Sequence, residues 1–377
     1  MQEIRIGLVG LGARALDTWL PLLQKLDGFT ITALCDPVAA THRPALDRLT
    51  DPDRVTVCSA YEDVLRRTDV DAIALTVRCE EQGAMAAMAL EAGKHVHAEV
   101  PGAHRLEDCR RIVRAVQRTG LTYQLAEQTR YWGFVDAWRR MVAAGELGTI
   151  TFAEGQYFHY HPGAMFRDPE TNRLYGPDDL AAHPGARPTW SQLMPPIHYL
   201  PHELSPLLSV LDDRVVEVVG MGTDGPSAAH PEISQPDLQV ALMKTAKGAV
   251  LRLAASFVQP HPDRNWHWYQ ITGTAGRVEW KRADHDHPKV WRFDRDPDLV
   301  NADWGFERPD APEAARGSGH GDADYYTHIA FRDAVLAGRQ PDFDVYQAMD
   351  ATAPAILAAT SIAQGSRPLA VPDFRNL

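Results

Sequence analysis

The run Ile4-Arg5-Ile6-Gly7-Leu8-Val9-Gly10-Leu11-Gly12-Ala13-Arg14-Ala15 constrains this chain more than any other. An apolar strand passes into Gly-x-Gly-x-x-Ala and then into a helix, with Ala15, Leu16, Trp19, Leu20, Leu23 and Leu26 recurring at helical spacing. In such a turn Gly10 allows a tight reversal and Gly12 leaves room for a pyrophosphate to touch backbone. Small Ala15 lets the helix pack on the strand. The helix start, at Ala13 and Arg14, then turns its partial positive charge toward the phosphates. A lone glycine turn is a weak signal, but the context supports it. A second strand, Phe29 to Cys35, ends at Asp36, close to the ~20-residue spacing at which a carboxylate meets the adenosine ribose. Asp36 precedes Pro37 and has no arginine nearby. It therefore favours NAD over NADP, whose extra phosphate it would repel.

The 377 residues suit two domains, and 45% hydrophobic with 23% charged residues describes an ordinary globular protein with ample core. A net charge of −12, with no basic stretch to offset it, argues against nucleic acid and anionic membrane as partners. The four cysteines (Cys35, Cys58, Cys79 and Cys109) form no C-x-x-C pair and are expected to be buried free thiols. No apolar run reaches membrane-spanning length and no leader-like stretch precedes the first strand, so a cytoplasmic location is expected.

The first third alternates strands (Val55 to Val57, Ala72 to Thr76, His95 to Ala98, Leu121 to Leu125) with helices such as Gln82 to Ala92 and Leu106 to Arg118. This predicts an α/β fold: an N-terminal Rossmann domain, residues 1–127, with a doubly wound parallel sheet. The pattern then changes. A helix from Phe134 to Ala144 is followed by strands at Thr149 to Tyr160, Val215 to Gly222, Leu238 to Thr245, Ala249 to Phe257, His267 to Thr272 and Arg277 to Lys281. Hairpin turns at Lys247-Gly248 and Ala275-Gly276 argue for a largely antiparallel open sheet in an α+β domain over residues 128–377. Residues 162–196 read as an ordered loop over the active site and 288–319 as irregular. Helices at Ala323 to Ala337 and Tyr346 to Ala363 close the chain and are expected to pack back.

Over essentially its whole length the chain resembles the Gfo/Idh/MocA family, the glucose–fructose oxidoreductase and inositol dehydrogenase group. The glycine turn, Gly93-Lys94-His95-Val96-His97-Ala98-Glu99-Val100-Pro101, the closing Gly319-His320-Gly321-Asp322 and the final Val371-Pro372-Asp373-Phe374 match in order. Familiar members carry Glu-Lys-Pro where this chain has Glu99-Val100-Pro101, and their lysine contacts the hydroxyl that loses hydride. Valine can neither hydrogen-bond nor carry a proton. The Glu-Val-Pro variant is similar to one branch, the NAD-dependent glycoside hydrolases. That branch also has Tyr-x-x-His (Tyr199-Leu200-Pro201-His202), Gly-x-Tyr-x-His (Gly155-Gln156-Tyr157-Phe158-His159) and a glutamate closing the last Rossmann strand (Glu127). One departure is Thr76-Val77-Arg78, where the family usually has Thr-Pro.

The resemblance implies bound NAD acting as a catalyst, held by Gly10, Gly12, Ala13, Arg14, Asp36, Thr76, Glu99, Val100 and Pro101. Transient oxidation of sugar C3 would make the C2 proton acidic enough for elimination of the aglycone from C1. Water addition and re-reduction would follow. Proton transfer then falls to His202, Tyr199, Tyr157 and Glu127. His202 is the first choice at the C3 hydroxyl because imidazole titrates near working pH, or it merely satisfies backbone. Tyr199 and Tyr157 act at C2 or on the enolate, or are capped core aromatics. Glu127 is acid, base, nicotinamide positioner or helix cap. Pro101 is a candidate for a cis bond.

His159 and His161 share a strand face and are expected to line the sugar pocket. They and His285-Asp286-His287 lack a third and fourth partner, so no metal is expected. Trp268 either stacks on a sugar or, with Trp266, fills the core. Arg130 and Arg167, with Arg173, could bind an anionic glycoside such as a sulfoquinovoside. Two other functions remain open, an NAD-dependent sugar or polyol dehydrogenase and a non-catalytic NAD-binding sensor. The resemblance also implies a homo-oligomer, dimer or tetramer, formed through the outer face of the second sheet.

Overall fold

A computed structural model describes residues 3–171, 173–263 and 265–377. The chain forms two compact units: Met1–Gln128 with Pro309–Met349 and Phe374–Leu377, and Thr129–Arg308 with Asp350–Asp373. The first therefore takes in a late segment that a simple division at residue 127 or 128 assigns to the second.

In the first unit six strands run parallel: β1 (Ile4–Val9), β2 (Phe29–Cys35), β3 (Thr56–Cys58), β4 (Ala72–Leu75), β5 (His95–Ala98) and β6 (Tyr123–Leu125). Their order is 3-2-1-4-5-6. The chain reverses its direction of winding at β1 and β4, whose carboxyl ends open the crevice where dinucleotides bind in such sheets. The strands are near-continuous apolar runs because both faces are covered. Ile4, Ile6, Leu8, Trp19, Leu20, Leu23, Leu34 and Phe331 lie in one buried cluster. The helical segment after the glycine turn contains a π-helical turn, Ala15–Trp19, before the α-helix Leu20–Lys25. The helices Cys79–Glu91, Leu106–Thr119 and Ala323–Leu336 complete the layers. Cys35, Cys58, Cys79 and Cys109 are buried free thiols.

The second unit is built on a nine-stranded sheet. Its central strand, β7 (Ile150–His159), pairs parallel with Val250–Ser256 and antiparallel with Asn265–Gly273. The other pairings in the sheet are antiparallel. The turn at Lys247-Gly248 joins the antiparallel strands Gln239–Thr245 and Val250–Ser256, with Gly248 at φ +97°. The turn at Ala275-Gly276 joins Asn265–Gly273 to Gly276–Glu279. Two stretches expected to be irregular hold short strands. Phe166–Arg167, Leu174–Tyr175 and Arg187–Pro188 make a small antiparallel sheet, and Lys289–Arg292 and Val300–Asn301 extend the large one. These segments are too short and too polar to show alternation, and only pairing defines them. Among the described residues no helix is long and apolar enough to cross a membrane.

Candidate active site

The glycine turn is shaped by β1 and β4 together. Gly10 has φ +87°, and a Cβ there would lie 2.5 Å from the Thr76 carbonyl oxygen, so only glycine fits. The Thr76 hydroxyl donates to the carbonyl oxygens of Gly10 (2.7 Å) and Val9 (3.1 Å), tying the ends of β4 and β1 together. A Cβ on Gly12 would meet nothing within 4 Å, which leaves open space over the backbone where a pyrophosphate needs it. Asp36 closes β2. Its Oδ2 accepts the Leu11 N–H at 2.8 Å and its Oδ1 the Val38 N–H at 2.8 Å. These bonds fix the carboxylate beside the turn, and a carboxylate has lone pairs beyond those two for a ribose hydroxyl. These residues fit NAD.

Arg14 and Glu99 meet in a partly buried charge network. Arg14 Nε donates to Glu99 Oε2 at 2.6 Å, and its Nη2 to Asp324 Oδ1 at 2.6 Å. Trp19 Nε1 (2.7 Å), the Val100 N–H (3.0 Å) and Gln128 Nε2 (3.2 Å) also donate to the Glu99 carboxylate. Burial opposes the Arg14 cation, yet Glu99 and Asp324 outweigh it and raise its pKa. Burial likewise pushes Glu99 up, but Arg14 and the Val100 N–H hold it below its ordinary value. Asp324 is held well below the usual carboxylate range against its own burial, by Arg14 and His320. The network orients the segment Glu99-Val100-Pro101, in which Val100 is buried and the peptide to Pro101 is cis. Asp324 was not evident from sequence, although it follows closely on Gly319-His320-Gly321-Asp322. Glu127 is also fully buried in this unit, at the end of β6.

In the second unit the structure brings together Tyr157, His159, Tyr199 and His202. Tyr157 and His159 are alternate residues on β7 and share one face, their rings stacked 4.0 Å apart. Tyr199 and His202 come from the turn Pro196–Tyr199 and the helix Pro201–Leu211. Tyr157 stacks on Tyr199 (5.7 Å) and on His202 (5.2 Å). The helix reaches the strand because residue 155 is glycine, where a Cβ would lie 2.8 Å from Glu203 Cβ. Thr129 Oγ1 and Tyr269 Oη both donate to the His202 carbonyl oxygen, at 2.6 and 2.9 Å, and hold the first turn of that helix.

His267 stands opposite Tyr157 in the neighbouring strand. Its Nδ1 lies 2.8 Å from Glu203 Oε1, and its Nε2 lies 3.1 Å from His159 Nε2. Neither His267 nor Glu203 stands out in the sequence as a proton-transfer group. The only local signal was the adjacency of Glu203 to His202. The pairing of β7 with Asn265–Gly273 is what joins them.

His161 lies further along the chain, with its N–H donating to the Phe257 carbonyl oxygen at 3.1 Å. Burial pushes its imidazole down to about 4. Arg130 Nη1 donates to Ser205 Oγ at 3.3 Å, on the helix that carries His202. Arg167 is half-buried in the small sheet. Trp268 is set apart from the cluster, since strand alternation points it to the opposite sheet face. There it is buried, its Nε1 donating to the Trp280 carbonyl oxygen at 3.1 Å and the Arg282 guanidinium lying 4.0 Å over its ring. Among the described residues no three or more His, Cys, Asp or Glu side chains are grouped to hold a metal.

Residues 4–127 match the oxidoreductase family with an NAD-binding Rossmann fold, and residues 218–376 match the glycosyl hydrolase 109 C-terminal domain. A glycosyl hydrolase family 109 protein of Streptomyces niveus is 30% identical over 98% of this chain and 77% of its own length. An alpha-N-acetylgalactosaminidase of Bacteroides fragilis is 25% identical over 98% of this chain and 92% of its own. The crystal structure of an oxidoreductase domain protein from Kribbella flavida superposes with a TM-score of 0.76 at 20% identity, covering 99% of this chain and all of that one. The dinucleotide turn, the NAD-binding match and the 109-type C-terminal domain converge: the chain belongs to glycosyl hydrolase family 109 and is an NAD-dependent glycosidase built on an oxidoreductase fold.

Proposed function

We propose that the chain hydrolyses its glycoside by elimination and re-addition rather than by displacement at C1. NAD, when bound, supplies a hydride acceptor for sugar C3 and returns the hydride at the end of the cycle. With C3 a ketone, a carbanion at C2 is delocalised onto oxygen, so C2 can lose its proton and the aglycone can leave C1. The chain must then manage protons. His202 takes the proton of the C3 hydroxyl, in place of the lysine that Val100 does not supply. Tyr199 and Tyr157 hydrogen-bond the developing enolate or act at C2. The Glu127 carboxyl serves the leaving group as acid and the incoming water as base.

The observation that carries this reading is the stacking of Tyr157 against both Tyr199 and His202, three proton-bearing side chains in one cluster. The substrate is the open part. The Bacteroides fragilis relative's name makes an α-N-acetylgalactosaminide the first compound to test. Arg130, hydrogen-bonded one helical turn from His202, and half-buried Arg167 make an anionic glycoside such as a sulfoquinovoside the second.

The test is a panel of aryl glycosides containing both, followed by aglycone release and nicotinamide absorbance. The expected result is steady aglycone release with no accumulation of reduced cofactor. Reduced cofactor building up in step with free sugar, without aglycone release, would overturn it in favour of a sugar or polyol dehydrogenase. No reaction of either kind would leave an NAD-binding sensor.

A further inference from the structure

We propose that Glu203, His267 and His159 form a relay in which His159 is the base that removes the C2 proton. This rests on the elimination mechanism above. That mechanism asks for a base at C2. An imidazole backed by a buried carboxylate is suited to that task.

The geometry orders the three groups. Glu203 is fully buried, pressed against β7 over Gly155, and its Oε1 accepts from His267 Nδ1 at 2.8 Å. The Tyr269 hydroxyl also donates to that oxygen at 3.3 Å. A carboxylate on Nδ1 fixes the neutral tautomer of His267 with its proton there and leaves Nε2 as an acceptor. The 3.1 Å separation of the two Nε2 atoms then requires His159 to donate its Nε2 proton. That tautomer makes Nδ1 the basic nitrogen of His159. The chain of hydrogen bonds thus runs from a buried carboxylate through a nearly buried imidazole to a half-exposed one. The ring faces are held as well. His159 stacks on Tyr157 at 4.0 Å, and Trp132 and Tyr157 each set a ring against His267 at 5.2 Å.

The step balances within the chain and the sugar. The C2–H bond breaks, its electron pair enters the enolate, and the proton bonds to His159 Nδ1. The His159 Nε2 proton passes to His267 Nε2, giving an imidazolium beside the Glu203 carboxylate. After the aglycone has left and water has added at C1, the transfers reverse and C2 regains a proton. Glu203 and His267 are positioning residues; His159 is the catalytic one.

The test uses the full chain. Glu203→Gln keeps the shape but removes the charge that stabilises the imidazolium. It is expected to lower kcat roughly 10- to 100-fold with KM within threefold, and to move the acid limb of the kcat–pH profile about one unit lower. His159→Gln, a half-exposed change, is expected to lower kcat at least ~100-fold with KM within threefold. Either variant keeping kcat within twofold overturns the relay, as does an unmoved acid limb in Glu203→Gln. Should Glu203→Gln fail to fold, 15N-histidine NMR of the unaltered protein decides. Protonated Nδ1 on His267 with protonated Nε2 on His159 supports the relay, and any other neutral tautomer pair overturns it. That spectrum needs no turnover, so failure to cleave any glycoside would count against the elimination mechanism alone.

Discussion

His202 and its neighbours show how single side chains depend on distant backbone. Removing the imidazole in His202→Ala is expected to lower kcat for aglycone release roughly 100- to 10,000-fold, the usual contribution of a positioned proton-transfer group. The bonds from Thr129 and Tyr269 reach the His202 carbonyl oxygen, not its side chain, and are retained in this variant. Gly155 is the converse case. A methyl group at 155 would meet Glu203 Cβ at 2.8 Å and Leu253 Cδ2 at 3.1 Å. Gly155→Ala should destabilise by about 1–3 kcal/mol through overpacking, read as a lower Tm, and should cut activity by displacing the helix of His202 and Glu203. Tyr157, Tyr199 and His202 were legible because each sits in a short motif. His267 and Glu203 were not, because their partnership exists only once β7 is paired with a strand more than a hundred residues later.

At the level of elements, the doubly wound parallel sheet and the glycine turn were readable, since apolar strands, helical periodicity and a fixed turn chemistry all point the same way; the strand order 3-2-1-4-5-6 came only with the structure. The closing helices were expected to pack back, but which side chain they contribute could not be read. The helix Ala323–Leu336 belongs to the first unit and sends Asp324 to Arg14, whose other partner, Glu99, stands just past β5. Asp324 is 1% exposed, so its charge has little water to fall back on. Arg14→Met would leave buried Asp324 and partly buried Glu99 without their cation and is expected to destabilise by about 2–4 kcal/mol, measured by denaturant unfolding. The short strands of 166–188 and 289–301 were missed for a different reason. Their residues carry no period, and only their neighbours make them strands.

For the molecule as a whole, the buried charges set a direction for pH. Burial pushes His328 down to about 4 and His161 likewise to about 4, so both are neutral when folded and bind protons more readily when unfolded. Their contribution is complete above the unfolded value near 6.5 and is lost as pH falls toward 4, on the order of 3 kcal/mol for fully buried His328. Asp324 and Glu99, with lowered values, lose theirs as pH falls further, below about 4. Urea unfolding at fixed temperature should therefore show stability level near pH 7–8 and declining steadily from about pH 6.5 to 4; stability that rises on acidification would contradict these assignments.

The central claim is that C2 of the sugar gives up its proton on the way to hydrolysis. Hydrolysis in heavy water, with the product sugar examined by NMR and mass spectrometry, tests it most directly. The relay ends in half-exposed His159, whose ring protons exchange with solvent, so the account expects deuterium at C2 of the released sugar. Complete hydrolysis that leaves C2 wholly protiated would contradict it and point to direct displacement at C1.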